Sequence, residues 1–343
     1  MKTYINIYLA LMLAVLSLSC ERNLEIPLPE HQSRLVLNSI LLEGKTPILN
    51  ITRSFGTLET VSDSALIVPD ATVELWSGGI KLTELSFSDT TIIDTVFFEG
   101  SSSRDFSEEK IRVRAYFPPS SFSNLTPNQE YEFRASHPTY GNATAKATLM
   151  PKPEILDISI VKDSVVRRDL DDGYLNKWTA FKIRVQDPAP FLNAYDLQAL
   201  IRYTYKDSPQ DTGYATTIAY TDFTQSIDGI FYGEQEMIKD DDFNGNVHTL
   251  IFYVTLPFCC GYPEFGDTDD SNIEFIHADL TLFMAESRFA NYWKKQVLQS
   301  ENRSDGIEGI LIQVESVQVQ GNVEGGYGLV SSYNYGKTTV EFP

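Results

Sequence analysis

Cysteine and histidine are both scarce in this chain. Three cysteines and four histidines serve 343 residues. Two of the cysteines are adjacent, Cys259-Cys260, and the third is Cys20. That excludes a disulfide-stapled scaffold, which needs a denser set. The histidines His31, His137, His248 and His277 fall in no zinc-ligand spacing. Cations are also few: 27 Lys and Arg against 47 Asp and Glu leave a formal net charge of −20. Phosphate contacts need clustered Lys and Arg, so no nucleic-acid partner is expected. No Gly-x-Ser-x-Gly elbow, phosphate loop or dinucleotide fingerprint occurs. The chain is therefore expected not to be an enzyme and to need no cofactor. A glycosidase-like pair among its many carboxylates is the catalytic reading that sequence leaves open, because the separation of such a pair cannot be read from spacing.

What is present begins with a leader. Lys2 precedes an apolar run from Ile5 to Leu18, broken by Asn6 and Ser17. A settled membrane-spanning helix needs roughly 20 apolar residues, so the run reads as a signal peptide over residues 1–19. No later apolar stretch is long enough to span. Leu16-Ser17-Leu18-Ser19-Cys20 resembles the lipobox of bacterial lipoproteins, whose cysteine is acylated and becomes the mature N-terminus. Cys20 is thus the expected lipid attachment site, with the membrane as a partner through that anchor. Several acyl chains hold almost permanently, at about 0.8 kcal/mol per buried CH₂. The other reading is an ordinary secretory signal with an incidental cysteine. Residues 20–34, with Pro27 and Pro29, read as a tether; fully extended it would reach about 45 Å.

From Leu35 the dominant signal has period two. Ile111, Val113, Ala115 and Phe117 alternate with Lys110, Arg112, Arg114 and Tyr116, as in a half-buried strand. Leu35–Leu42, Ile48–Arg53, Ala71–Trp76, Tyr131–Ser136 and Ala143–Leu149 read likewise, separated by Gly78-Gly79, Pro118-Pro119 and Pro127-Asn128. Short strands with polar breaks predict a mainly β fold, with an immunoglobulin- or transthyretin-like sandwich over 35–150. Met150-Pro151-Lys152-Pro153 marks a boundary. A second β-rich domain over 151–343 follows, with strands at 181–185, 195–205, 248–256, 272–284, 309–319 and 338–342. One helix is predicted near 287–299, where Phe289, Trp293 and Val297 recur every four residues behind an N-cap Ser287.

Several short constellations carry candidate chemistry. Asp240, Asp242 and Asn244 alternate before Gly245, like the first half of an EF-hand calcium loop. The twelfth position is Ile251 rather than Glu, and an Asn-Gly hairpin turn explains the same residues. Phe258, Tyr262 and Phe265 crowd a segment that also holds Cys259, Cys260, Gly261, Pro263 and Gly266, then Asp267, Asp269 and Asp270. Such a segment is a candidate contact for a partner or cargo, through aromatic anchors; the bland reading folds the rings back onto the core. His277 and Asp279 share one strand face, read as a solvated polar face. Gly325, Gly326 and Gly328 permit close backbone approach around Tyr327, a further candidate contact; a simple glycine-rich turn is the alternative.

Taken in order, the chain resembles the bacteroidete outer-membrane lipoproteins catalogued as domain of unknown function 4249 (DUF4249). The residues that carry the resemblance are Asp70-Ala71-Thr72-Val73-Glu74-Leu75; Tyr131 with Ala145 to Pro151; Asp187-Pro188 with Asn193-Ala194-Tyr195; Phe243-Asn244-Gly245; Tyr292-Trp293; and Asn322-Val323-Glu324-Gly325-Gly326-Tyr327-Gly328-Leu329. Such lipoproteins are commonly encoded beside TonB-dependent outer-membrane transporters. The resemblance therefore implies an outer-membrane, lipid-anchored and surface-facing accessory of such a transporter, capturing a nutrient or covering the transporter mouth. A structural or adhesion lipoprotein, with β-domains as spacers and no cargo, is the alternative.

Overall fold

Alternation of apolar and polar residues produces most of the regular structure. The structure, a computed structural model, describes residues 31–56, 59–95, 108–122, 125–168, 175–220, 222–225, 231–234, 237–241, 243–255, 273–292 and 321–343. In β1 (Leu35–Leu41) the odd-numbered residues are buried and Ile40 faces solvent. In β6 (Glu130–His137) Tyr131, Phe133 and Ala135 point inward, and in β7 (Gly141–Thr148) Ala143, Ala145 and Ala147 do. Each buried side chain of Leu or Phe size contributes about 1.5–3 kcal/mol.

Between these lie β2 (Asn50–Arg53), the short α1 (Asp63–Leu66), β3 (Thr72–Ser77), β4 (Ile80–Thr95) and β5 (Glu108–Phe117). After β7 come β8 (Glu154–Arg168), β9 (Leu175–Gln186), β10 (Asn193–Tyr205) and β11 (Ser208–Tyr220). Then follow β12 (Asp222–Gln225), β13 (Phe231–Glu234), β14 (Ile238–Lys239), β15 (Val247–Thr255) and β16 (Ile273–Glu286). Helix α2 occupies residues 287–292 of the described chain, and β17 (Val323–Glu324) and β18 (Tyr327–Glu341) close the order. The protein is mainly β, as the alternation predicts. The expected helix starts at Ser287; its continuation to 299 lies outside the described residues, as does the strand expected at 309–319. Among the described residues no helix is long and apolar enough to cross a membrane.

Six strands form one sheet in the order β17-β7-β6-β3-β4-β5. A ten-stranded sheet runs β2-β1-β18-β16-β10-β11-β15-β9-β8, with β14 added on β10, and β12 pairs β13 by itself. Buried apolar residues fall into two clusters, and the break comes between Leu149 and Met150. The first cluster lies between the six-stranded sheet and the β2-β1-β18 end of the larger one, which is a sandwich. The second is enclosed by β8, β9, β10, β15 and β16, with Val340 and Phe342 packed against it.

One strand serves both cores. β18 runs parallel to β1, Val36 opposite Tyr327 through Leu41 opposite Ser332, and places Val330 in the first cluster. Its far half runs antiparallel to β16 and reaches the second. The sequence reading starts this strand at Thr338; it starts eleven residues earlier, at Tyr327. β17 likewise comes from the C-terminal region and pairs β7. Ser33–Ser54 with Thr60–Pro343 accordingly forms one compact unit.

The seam between the cores is polar and stitched. Ser332 Oγ donates to the Thr148 carbonyl at 2.5 Å and accepts from Met150 N at 3.1 Å. Asn334 Nδ2 donates to the Met150 carbonyl and to Glu43 Oε2, both at 3.0 Å. Buried Glu286 accepts from Thr148 N at 2.9 Å and from Ser331 Oγ at 2.8 Å. Burial raises the Glu286 carboxyl above its ordinary range, against the partial relief of these hydrogen bonds.

Candidate functional site

The site grows from the β9–β10 connection. β9 ends at Gln186, and Asp187 turns inward with 1% exposure. Phe191 N closes a tight turn onto the Pro188 carbonyl at 3.3 Å, and β10 begins at Asn193. Alternation along a strand puts Asn193 and Tyr195 on the face that continues with Leu197, Ala199 and Ile201, all buried in the second core. Both polar side chains therefore enter an apolar interior and must find partners there.

Asp187 supplies them. Its Oδ1 accepts from Tyr195 OH at 2.7 Å and from Asn193 Nδ2 at 3.1 Å. Its Oδ2 accepts from Gly245 N at 2.8 Å. Gly245 has φ +78°, and a Cβ there would lie 2.7 Å from Ala189 Cβ, so the residue is glycine for two reasons. Burial first, then the bond to Asp187 and the charges of Asp187 and Asp240, raise the Tyr195 phenol and keep it protonated as a donor.

The turn carrying Gly245 is the segment with the alternating acids. Asp240 N donates to the Asn193 carbonyl at 3.1 Å, and Asn244 N donates to the Asp240 carbonyl at 3.0 Å. Asn246 accepts from Asp187 N at 3.2 Å through its carbonyl. Phe243 stacks on His248 with centroids 3.9 Å apart and planes 5° from parallel, and it faces Tyr195 at 6.3 Å. This is not the hairpin that Asn-Gly suggests: β14 pairs β10, whereas β15 pairs β9 and β11.

The cluster ends in orphan acceptors. Asp240 and Asn193 are both 0% exposed. Both carboxylate oxygens of Asp240, Asn193 Oδ1 and Asn244 Oδ1 are buried without a hydrogen-bond partner. Burial, then the negative charges of Asp187 and Asp241, push the Asp240 carboxyl up to about 6. The backbone amides of Asn193 and Asp240 sit near enough to offset part of that shift, yet neither makes a well-formed hydrogen bond to the carboxylate.

The remaining candidates fall elsewhere. Asp242 lies outside the described residues, as do Cys20, Phe258, Cys259, Cys260, Tyr262 and Phe265. Tyr327 is 50% exposed at the start of β18, just after the β17–β18 turn. The glycines around it are packed against other chain segments. A Cβ on Gly328, at φ +106°, would fall 2.1 Å from the Leu37 carbonyl oxygen, and one on Gly326 would fall 2.3 Å from that of Leu35. Asn322 clamps the same turn: its Nδ2 donates to the Lys146 and Val330 carbonyls, each at 2.7 Å, and its Oδ1 accepts from Val330 N at 2.9 Å. His277 Nε2 lies 3.7 Å from Asp279 Oδ2, and Asp279 also accepts from Thr339 Oγ1 at 2.6 Å on the outer face.

Sequence reasoning placed Asp187, Asn193 and Tyr195 in a recognisable stretch but assigned them no role. The available signal was the Asn193-x-Tyr195 alternation at the head of an otherwise apolar strand face. The cluster and the Asn322–Gly328 clamp account physically for the Asp187-Pro188, Asn193-Ala194-Tyr195, Phe243-Asn244-Gly245 and Asn322 to Leu329 stretches. No curated protein matches the chain. The family model described as Domain of unknown function (DUF4249) matches residues 21–339, and the chain belongs to that family.

Proposed function

We propose that this protein is a non-catalytic outer-membrane lipoprotein, anchored through Cys20, that serves as accessory partner of a TonB-dependent transporter. The observation that carries the reading is Tyr327. It is a large aromatic, half exposed, on backbone that neighbouring glycines seat against the Leu35 and Leu37 carbonyls. An exposed ring on firmly seated backbone suits an interface anchor, because less backbone entropy is lost on binding. Phe258, Tyr262 and Phe265 are further candidate contacts on the same aromatic-anchor argument. The polar cluster at Asp187 supports a non-catalytic role, since its donors are spent on holding backbone and side chains in place.

The test is affinity purification of the tagged full chain from envelopes solubilised in mild detergent, followed by identification of what it retains. A TonB-dependent barrel should co-purify, and Tyr327→Ala should reduce its yield without changing the amount of bait. The spacer reading has its own support, because Asn322 and the glycines are fully used in packing. Recovery of the bait without any barrel would favour that reading and end the transporter proposal.

A further inference from the structure

We propose that the orphan oxygens around Asp240 form a calcium-binding site, with Asp240, Asn193 and Asn244 as its side-chain ligands. The inference is independent of the transporter reading.

The argument starts from orientation. An asparagine amide has a donor end and an acceptor end, and the network decides which way it points. Asn193 Nδ2 donates to Asp187 Oδ1 at 3.1 Å and to the Phe191 carbonyl at 3.4 Å. Turning the amide over would set its oxygen against two acceptors. Asn193 Oδ1 is thereby committed to the side away from Asp187, where it has no partner. Asp187 does not compete for a cation, since Tyr195, Asn193 and Gly245 already occupy its oxygens. It acts as the positioning residue for Asn193.

The other ligands arrive by backbone geometry. Asn244 N bonds the Asp240 carbonyl, an i to i+4 closure that folds residues 240 and 244 into one turn. Asp240 N bonds the Asn193 carbonyl, which ties that turn to the head of β10. Two backbone hydrogen bonds thus tie together the three residues that carry the four unpartnered acceptor oxygens. Buried acceptors normally have a partner in protein, ordered water or an ion, and a buried carboxylate among them favours the cation.

The donor set selects the ion. Carboxylate and amide oxygens suit a hard cation, and none of these ligands is a nitrogen or sulfur that would favour zinc or copper. Among the described residues no three His, Cys, Asp or Glu side chains gather as metal ligands. One carboxylate with two neutral amide oxygens fits calcium, which accepts carbonyl oxygens in flexible geometry. Magnesium holds its waters and is rarely caged by protein alone. The charges of Asp187 and Asp241 add an attractive field for either ion.

The experiment uses the purified full chain stripped with a chelator. Thermal unfolding is followed in buffer, in CaCl₂ at about 1 mM and in MgCl₂ at the same level. Calcium should raise Tm by several degrees and magnesium much less. Asp240→Asn should abolish the calcium shift while still folding, because its new NH₂ can pair with the amide oxygens of Asn193 and Asn244. Asn244→Ala should weaken calcium binding by about tenfold or more. Equilibrium dialysis of the unmutated chain against radioactive calcium gives the answer even if a variant fails to fold. Absence of bound calcium there, an equal response to magnesium, or an undiminished shift in Asp240→Asn would each overturn the proposal.

Discussion

Two buried tyrosines, one in each core, show how differently the two regions handle polarity. Tyr116 in the sandwich donates its OH to the Val68 carbonyl and accepts from Ala71 N, both at 2.8 Å. Two neutral backbone groups satisfy it completely. Tyr195 in the second core donates instead to the Asp187 carboxylate, which must then be held by Asn193 and Gly245. A charge in the interior needs a retinue, and the retinue here ends in the unpartnered oxygens of Asn193, Asp240 and Asn244. The sandwich is therefore closed chemistry, while the second core keeps an open polar end.

The largest expected effect removes the difference altogether, by unseating the strand both cores share. Gly328→Ala puts a Cβ against the Leu37 carbonyl and into a left-handed φ. It should cost about 4 kcal/mol or more in urea unfolding, with both regions destabilised together. Next, Asp187→Ala strands the Tyr195 hydroxyl, the Asn193 amide and Gly245 N, whereas Tyr116→Phe strands one carbonyl and one amide. We expect about 3–4 kcal/mol for the first and about 2 kcal/mol for the second. A larger loss from Tyr116→Phe would refute the contrast drawn above.

A smaller effect belongs to the seam. Glu286 has its folded pKa raised above the ordinary value of 4.5, chiefly by burial. The folded state then binds the proton more tightly than the unfolded chain. Stability from this group is present at low pH and declines as pH climbs from about 4.5 through the folded pKa. Glu286→Gln should flatten that decline, with little change at acidic pH, as read from unfolding midpoints across the pH series. The smallest effect on stability is expected of Tyr327→Ala, within about 0.5 kcal/mol, because the ring is half exposed. Any larger loss would mean that the ring is structural, and would weaken its assignment as a contact.

Strand existence was legible wherever one face is buried and the other wet, as in β1, β6, β7 and the core of β10. It was not legible in β8, β11 or the long β4, where Thr, Ser and Asp interrupt the alternation. There the pairing partners decide: β4 is held along its far half by β5, from Ser86 opposite Phe117 to Thr95 opposite Glu108. The acidic turn was visible as a pattern, but its pairing was misread. Asn-Gly specifies the turn and not which strands flank it in space.

The sequence by itself determined the class of fold and the places where backbone geometry demands glycine. Those follow from period-two burial and from backbone sterics, which act locally. Only the tertiary structure decided that the last strand lies beside the first, and that Asp187, Asn193 and Asp240 meet. Val36 opposite Tyr327 joins residues from opposite ends of the chain. No local preference encodes such a contact; it is selected by the joint burial of β1, β7 and β18 on one apolar cluster. The same holds for the oxygen cluster, whose members come from a β9 end, a β10 start and a turn that touch once the second core has closed.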